Sequence, residues 1–105
     1  LKEYSTFFDA SSIYFEKDSY KNLMFLKMKQ EQANIILRIK GFITINEILV
    51  MIGLEKIFGG DTIGWYYDKD THIDFGIYNL SNRYFVNGYE YSALLKFNVN
   101  CMFTR

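Results

Sequence analysis

A chain of 105 residues, 50% of them hydrophobic, is long enough to close one core and too short for two, so a single domain over residues 1–105 is expected. Twelve basic residues stand against twelve acidic ones, leaving no positive field to draw a phosphate backbone and no carboxylate excess to mimic DNA, so no nucleic-acid partner is expected. The same zero net charge removes a repulsion that keeps copies apart, and it favours self-association.

Residues 1–15 are rich in aromatics without a clear period and read as an irregular or partly helical arm packed on the core. Asp18 or Ser19 can cap the helix that follows, accepting from the free amides of its first turn, and Leu23, Leu26, Ala33, Ile36 and Leu37 then recur at helical spacing. The helix is predicted to run to about Lys40 and to stop at Gly41. Lys27, Gln30, Glu31, Asn34 and Arg38 fall on its other side and read as solvated. Met24, Phe25 and Met28 either broaden the buried stripe or form a contact surface. Thr44 followed three residues later by Glu47 is a capping box, which predicts a short second helix over Ile45–Ile52 ending at Gly53. These helices make residues 18–53 the helical part.

After Gly59 and Gly60 the pattern changes. Ile63–Tyr67 and Ile73–Tyr78 are short β-rich runs separated by a polar stretch from Asp68 to His72, which reads as a hairpin. Asn87 and Gly88 mark another turn, and Ala93–Val99 alternate as a further strand. The expected fold is therefore α+β: an N-terminal arm, then one long and one short helix packed on a small antiparallel sheet of three or four strands drawn from residues 63–100. Gly64 ahead of Trp65 implies a close backbone approach or a positive φ, and Gly76 a bulge or a contact with the indole.

The wording of these segments carries a resemblance. Ile63, Gly64, Trp65 and Tyr66 to Asp68, then Ile73–Ile77, then Phe85, Val86, Asn87, Gly88, Tyr89 and Glu90, and finally Leu94, Leu95, Phe97, Asn98 and Val99 resemble the markers of an uncharacterised family of small phage- and prophage-encoded proteins of low-GC Gram-positive bacteria. Residues 26–54 resemble the same family's helix, turn and second helix. The sequence departs from that pattern in passing directly from Asp68 to Ile73, where relatives have a longer loop, and in having Asn100 and Cys101 in place of an Asp-Gly turn. The resemblance implies a mobile-element setting, in the host cytoplasm or on the virion, and transfers no catalytic residue. Some longer relatives carry apolar, membrane-like segments ahead of this module. No apolar run of this sequence approaches a membrane span, so no membrane contact is expected of it. Residues 1–10 lack the basic start and apolar stretch of a signal peptide, and Leu1 in place of Met suggests a removed residue or a cut from something longer.

Asp68, Asp70, His72 and Asp74 are the residues with the pattern of a metal site. At alternate positions of an extended segment they would point one way, and oxygens with one imidazole suit Mn²⁺ or Zn²⁺. A calcium loop counted from Asp68 needs Gly and Glu where Ile73 and Asn79 stand, and a polar turn explains the same residues without any ligand. Cys101 is the only cysteine, which excludes an intramolecular disulfide and fits a reducing compartment. His72 is the only histidine, and no activated nucleophile accompanies it. Gly59 and Gly60 are followed by Asp61 and Thr62, not by the Lys and hydroxyl residue of a phosphate loop.

The expectation is accordingly no catalytic residue, no cofactor and no metal, and a non-enzymatic protein working through protein–protein contacts. Its partner would be a host protein, a virion protein or another copy, and its role either virion-associated or that of a host- or defence-directed inhibitor. Ten Phe and nine Tyr exceed what so small a core holds, and Trp65, Tyr66, Tyr84, Tyr89 and Tyr91 are the interaction candidates, although a core anchor is the simplest use of Trp65. The alternative is a small metal-dependent enzyme built on Asp68, Asp70, His72 and Asp74.

Overall fold

Asp18 is extended, with φ −155°, and its carboxylate accepts from the Lys21 amide at 3.0 Å, which opens helix α1 at Ser19–Lys40. Gly41 ends it in the left-handed conformation, φ 87°, and its amide returns to the Leu37 carbonyl. The chain then enters strand β2, Phe42–Thr44, and Thr44 caps helix α2, Ile45–Met51, through the expected capping box. Glu47 closes that box from the Thr44 amide, and its other oxygen pairs with Lys40 at the end of α1. One carboxylate thus links the end of α1 to the start of α2.

The computed structural model describes residues 4–103; Leu1, Lys2 and Glu3 of the expected arm, with Thr104 and Arg105, lie outside them. Of the described part of the arm, residues 9–15 are an irregular run of turns and bends, as expected, but residues 4–8 are not. Tyr4–Phe8 form strand β1, antiparallel to β4 at Ala93–Phe97, with Phe8 opposite Ala93 and Tyr4 opposite Phe97. Strand β3, Ile63–Tyr66, lies between β2 and β5, the latter at Cys101–Met102. A one-turn helix α3, Arg83–Val86, follows a 3₁₀ turn at Leu80–Asn82 and was not predicted. The fold class is α+β as expected, but the single sheet drawn from residues 63–100 is replaced by two antiparallel sheets, of two and three strands.

The predicted hairpin fails because both edges of β3 are already taken. On one side Gly64 sits opposite Thr44, so close that a Cβ there would lie 2.0 Å from the Ile43 carbonyl oxygen. On the other, Cys101 pairs with Gly64. The segment Ile73–Tyr78 keeps its alternation, with Ile73, Phe75 and Ile77 buried, yet no ladder runs along it. It lies instead beside β4, where the Lys96 amide donates to Phe75 and the Asn98 amide to Asp74. Gly76 has φ 69° and faces the Lys96 carbonyl oxygen, which a Cβ would meet at 2.6 Å. That close approach interrupts the strand.

Asparagine side chains supply much of the backbone pairing that the short strands lack. Asn34 accepts from the Ile73 amide at 2.8 Å and donates to the Ile73 carbonyl at 3.0 Å. Asn22 does the same with Glu16, Asn46 with Ile57, and Asn82 with Leu94. A side-chain amide has the donor and acceptor of a peptide unit, so each Asn pairs with a backbone segment as one residue of a strand would. Asn34 was expected on the solvated side of α1; it is buried because Ile73 needs it.

The core joins both sheets to α1 and α2. Phe97 of β4 stacks at 5.9 Å on Tyr4 and meets Phe75 and Trp65 edge to face at 5.4 and 6.3 Å. Burial of each such ring contributes about 1.5–3 kcal/mol. No described helix is long and apolar enough to cross a membrane.

Candidate interaction surface

Met24, Met28, Glu31 and Ile35 recur at steps of four, three and four along α1, which places them on one side of the helix. Ile77 and Tyr78 face them from the segment beside β4, and together they line a groove of about 600 Å³, with Lys27, Arg38, His72 and Asp74 also contributing. Both walls are held from behind. Asn34 clamps Ile73, and the Gln30 side-chain oxygen accepts from the Phe75 amide at 2.8 Å. The Lys27 ammonium lies 5.9 Å from the centre of the Tyr78 ring, within range of a cation–π contact. Met24 and Met28 are exposed, so they do not broaden the buried stripe. Their unbranched thioethers can adapt to a partner of irregular shape. Phe25 instead turns inward, 5.6 Å from Phe8 and 5.2 Å from Tyr14.

A second, more open hollow of about 620 Å³ is lined by Asp9, Phe15, Tyr89, Glu90 and Tyr91 among others. Of the candidate aromatics, Tyr89 and Tyr91 come together there. Tyr66 and Tyr84 are exposed but line neither hollow, Tyr66 opposite Phe42 in the three-stranded sheet and Tyr84 on α3 with the Arg83 guanidinium 5.1 Å from its ring centre. Trp65 is corrected from a contact residue to a core residue. It has no exposed surface, and its indole N–H donates to the backbone and side-chain oxygens of Asn98, both at 3.0 Å. The Asp9 carboxyl is held below the usual carboxylate range by the Ser11 hydroxyl and the Ser11 amide, against a small opposing effect of burial.

Asp68, Asp70, His72 and Asp74 line one shallow depression with Thr71, Asn98 and Asn100. The extended geometry that would aim them at a common point is absent, because residues 68–71 form a turn in which the Thr71 amide donates to the Asp68 carbonyl at 3.1 Å. The carboxylates are used locally: Asp68 accepts from the Asp70 amide at 2.8 Å and Asp74 from the Gly76 amide at 2.7 Å. Among the described residues no three His, Cys, Asp or Glu side chains are placed to hold a metal ion.

The α1 groove went unnoticed in the sequence, although the spacing of Met24, Met28 and Ile35 contains it. What the spacing lacks is the opposite wall, since Tyr78 reaches α1 only through the tertiary fold. No curated protein and no solved structure matches the chain. One family model does match, over residues 1–104, and its description is "Family of unknown function (DUF6353)"; the chain belongs to that family.

Proposed function

We propose that the protein is non-enzymatic, encoded by a phage or prophage, and acts through protein–protein contacts made along the groove between α1 and Tyr78. The observation that carries this reading is a pre-formed apolar groove whose rims are charged: Met24, Met28, Ile35 and Tyr78 are exposed there, beside Lys27, Glu31, Arg38 and Asp74. Exposed apolar side chains framed by polar ones are the usual composition of a contact surface. The phage setting rests on the resemblance of residues 63–99 described above. Within it, the role is that of a virion-associated protein or of an inhibitor directed at the host.

A photo-reactive side chain installed at Met28 tests the reading in infected or induced cells. A discrete adduct is expected from that position, and none from the same group installed at the exposed Lys56. Adding Tyr78→Ala should abolish the adduct without shifting the Trp65 fluorescence of the purified protein. Equal adducts from both positions, or none from Met28, would overturn the role of the groove.

A further inference from the structure

We infer that strand β1 is a self-pairing edge: two copies of the chain join β1 to β1 in antiparallel fashion, turning two separate two-stranded sheets into one of order β4-β1-β1-β4. This goes beyond the groove reading and is independent of it.

The direction of the free backbone groups follows from β4. Its Leu94 amide donates to the Asn82 side chain at 2.7 Å and its Lys96 amide to the Phe75 carbonyl at 2.9 Å. Leu94 and Lys96 therefore point away from β1. Because an antiparallel ladder alternates, Ala93, Leu95 and Phe97 are the residues bonded to Phe8, Thr6 and Tyr4. Ser5 and Phe7 are left aiming their N–H and C=O groups outward, and neither has a backbone partner outside the strand pairing among the described residues.

Natural edge strands are usually protected by a charge, a proline, a bulge or a covering loop. Tyr-Ser-Thr-Phe-Phe has no charge, no proline and no glycine, and its pairing with β4 runs without a bulge. Phe7 is 57% exposed.

The strand is complementary to itself in one register. A two-fold axis at Thr6 sets Ser5 opposite Phe7 of the second copy and Phe7 opposite its Ser5. In that arrangement every outward group finds a partner, since each such pair exchanges both N–H···O bonds. The Phe7 ring of each copy covers the small Ser5 of the other, and the two rings lie on the diagonal, where aromatic side chains still touch. Zero net charge removes the long-range repulsion between like molecules. A closed two-fold contact of this kind consumes both edges and does not propagate into a fibre.

The test uses the full chain. Light scattering after size-exclusion chromatography should show the mass rising from one copy to two as concentration increases. Hydrogen exchange on the same samples should show the Ser5 and Phe7 amides becoming protected as the dimer forms. Ser5→Pro removes an outward donor while leaving the β4 ladder intact, a use of proline that edge strands tolerate. It should return a monomer, and Phe7→Lys should do the same if the proline variant fails to fold, with Trp65 fluorescence reporting an unchanged core. Met28→Lys, in the groove, should leave the dimer untouched. A monomer at every concentration would overturn the inference. So would a dimer in which the Ser5 and Phe7 amides stay unprotected, or one that survives the β1 variants.

Discussion

Replacing Asn34 by Ala tests whether side-chain amides stand in for missing strands. Asn34 holds both backbone groups of Ile73, at 2.8 and 3.0 Å, and Ile73 has no exposed surface. Truncation leaves one buried donor and one buried acceptor unpaired, at about 1–3 kcal/mol each, while the better helix propensity of Ala restores about 0.5 kcal/mol. The net loss should be about 1.5–5.5 kcal/mol, equivalent for a chain of this size to a fall in Tm of about 6–44 °C. Urea unfolding followed by Trp65, the only tryptophan, measures it directly. Asn34→Asp sharpens the test through its pH dependence. The carboxylate can still accept from the Ile73 amide but confronts the carbonyls of Ile73 and Gln30, so its folded-state pKa is raised. Its deficit should be complete above that pKa and shrink as pH falls towards the ordinary carboxylate value, where a proton restores a donor. An Asn34→Ala variant within about 0.5 kcal/mol of the parent would refute the reasoning, because no buried group that truly lost its partner is that cheap.

Other perturbations address separate joints of the fold. Gly64→Ala drives a Cβ into the Ile43 carbonyl at 2.0 Å and the Thr44 Cα at 2.7 Å, both backbone atoms that cannot rotate away. It should cost about 3 kcal/mol or more, and a melt within about 4 °C of the parent would contradict so close a β2–β3 contact. Thr44→Ala removes the side-chain half of the capping box on α2 and should lower stability by about 1 kcal/mol in the same urea titration. Asp9→Asn should cost well under about 1 kcal/mol at neutral pH, since its site is largely solvated. Because the folded-state pKa of Asp9 is depressed, the difference from the parent should persist above the ordinary carboxylate range and vanish as pH falls through the folded value; a difference that grew in acid would contradict the assignment.

The sequence was most legible where a structure is local. Asp18, Gly41, Thr44 and Glu47 act through hydrogen bonds spanning three or four residues, and they place both ends of α1 and the start of α2; α2 ends at Met51, one residue short of the expected Ile52. Strand alternation was legible too: Ile73, Phe75 and Ile77 face inward. Which strand pairs with which was not. Hairpin reasoning assumes that neighbours in sequence pair, whereas β1 pairs with β4 and β3 lies between β2 and β5. Those pairings are decided by long-range contacts that carry no local periodicity.

The candidate site divides in the same way. Tyr66, Tyr84, Tyr89 and Tyr91 are exposed, as suits a residue with a polar end, but composition could not say that Tyr89 and Tyr91 alone of the set share a hollow. Trp65 carried the same aromatic signal and is enclosed, with Asn98 satisfying its N–H. Asp68, Asp70, His72 and Asp74 kept the spacing of ligands and lost the geometry, because the chain turns at residues 68–71 and the Asp68 and Asp74 carboxylates accept from nearby backbone amides. By itself the sequence determined the α+β class, the two main helices with their N-caps, and the absence of any net field. The tertiary structure alone decided the strand order, the opposite wall of the α1 groove and the outward backbone of Ser5 and Phe7, because each depends on segments dozens of residues apart meeting at one place.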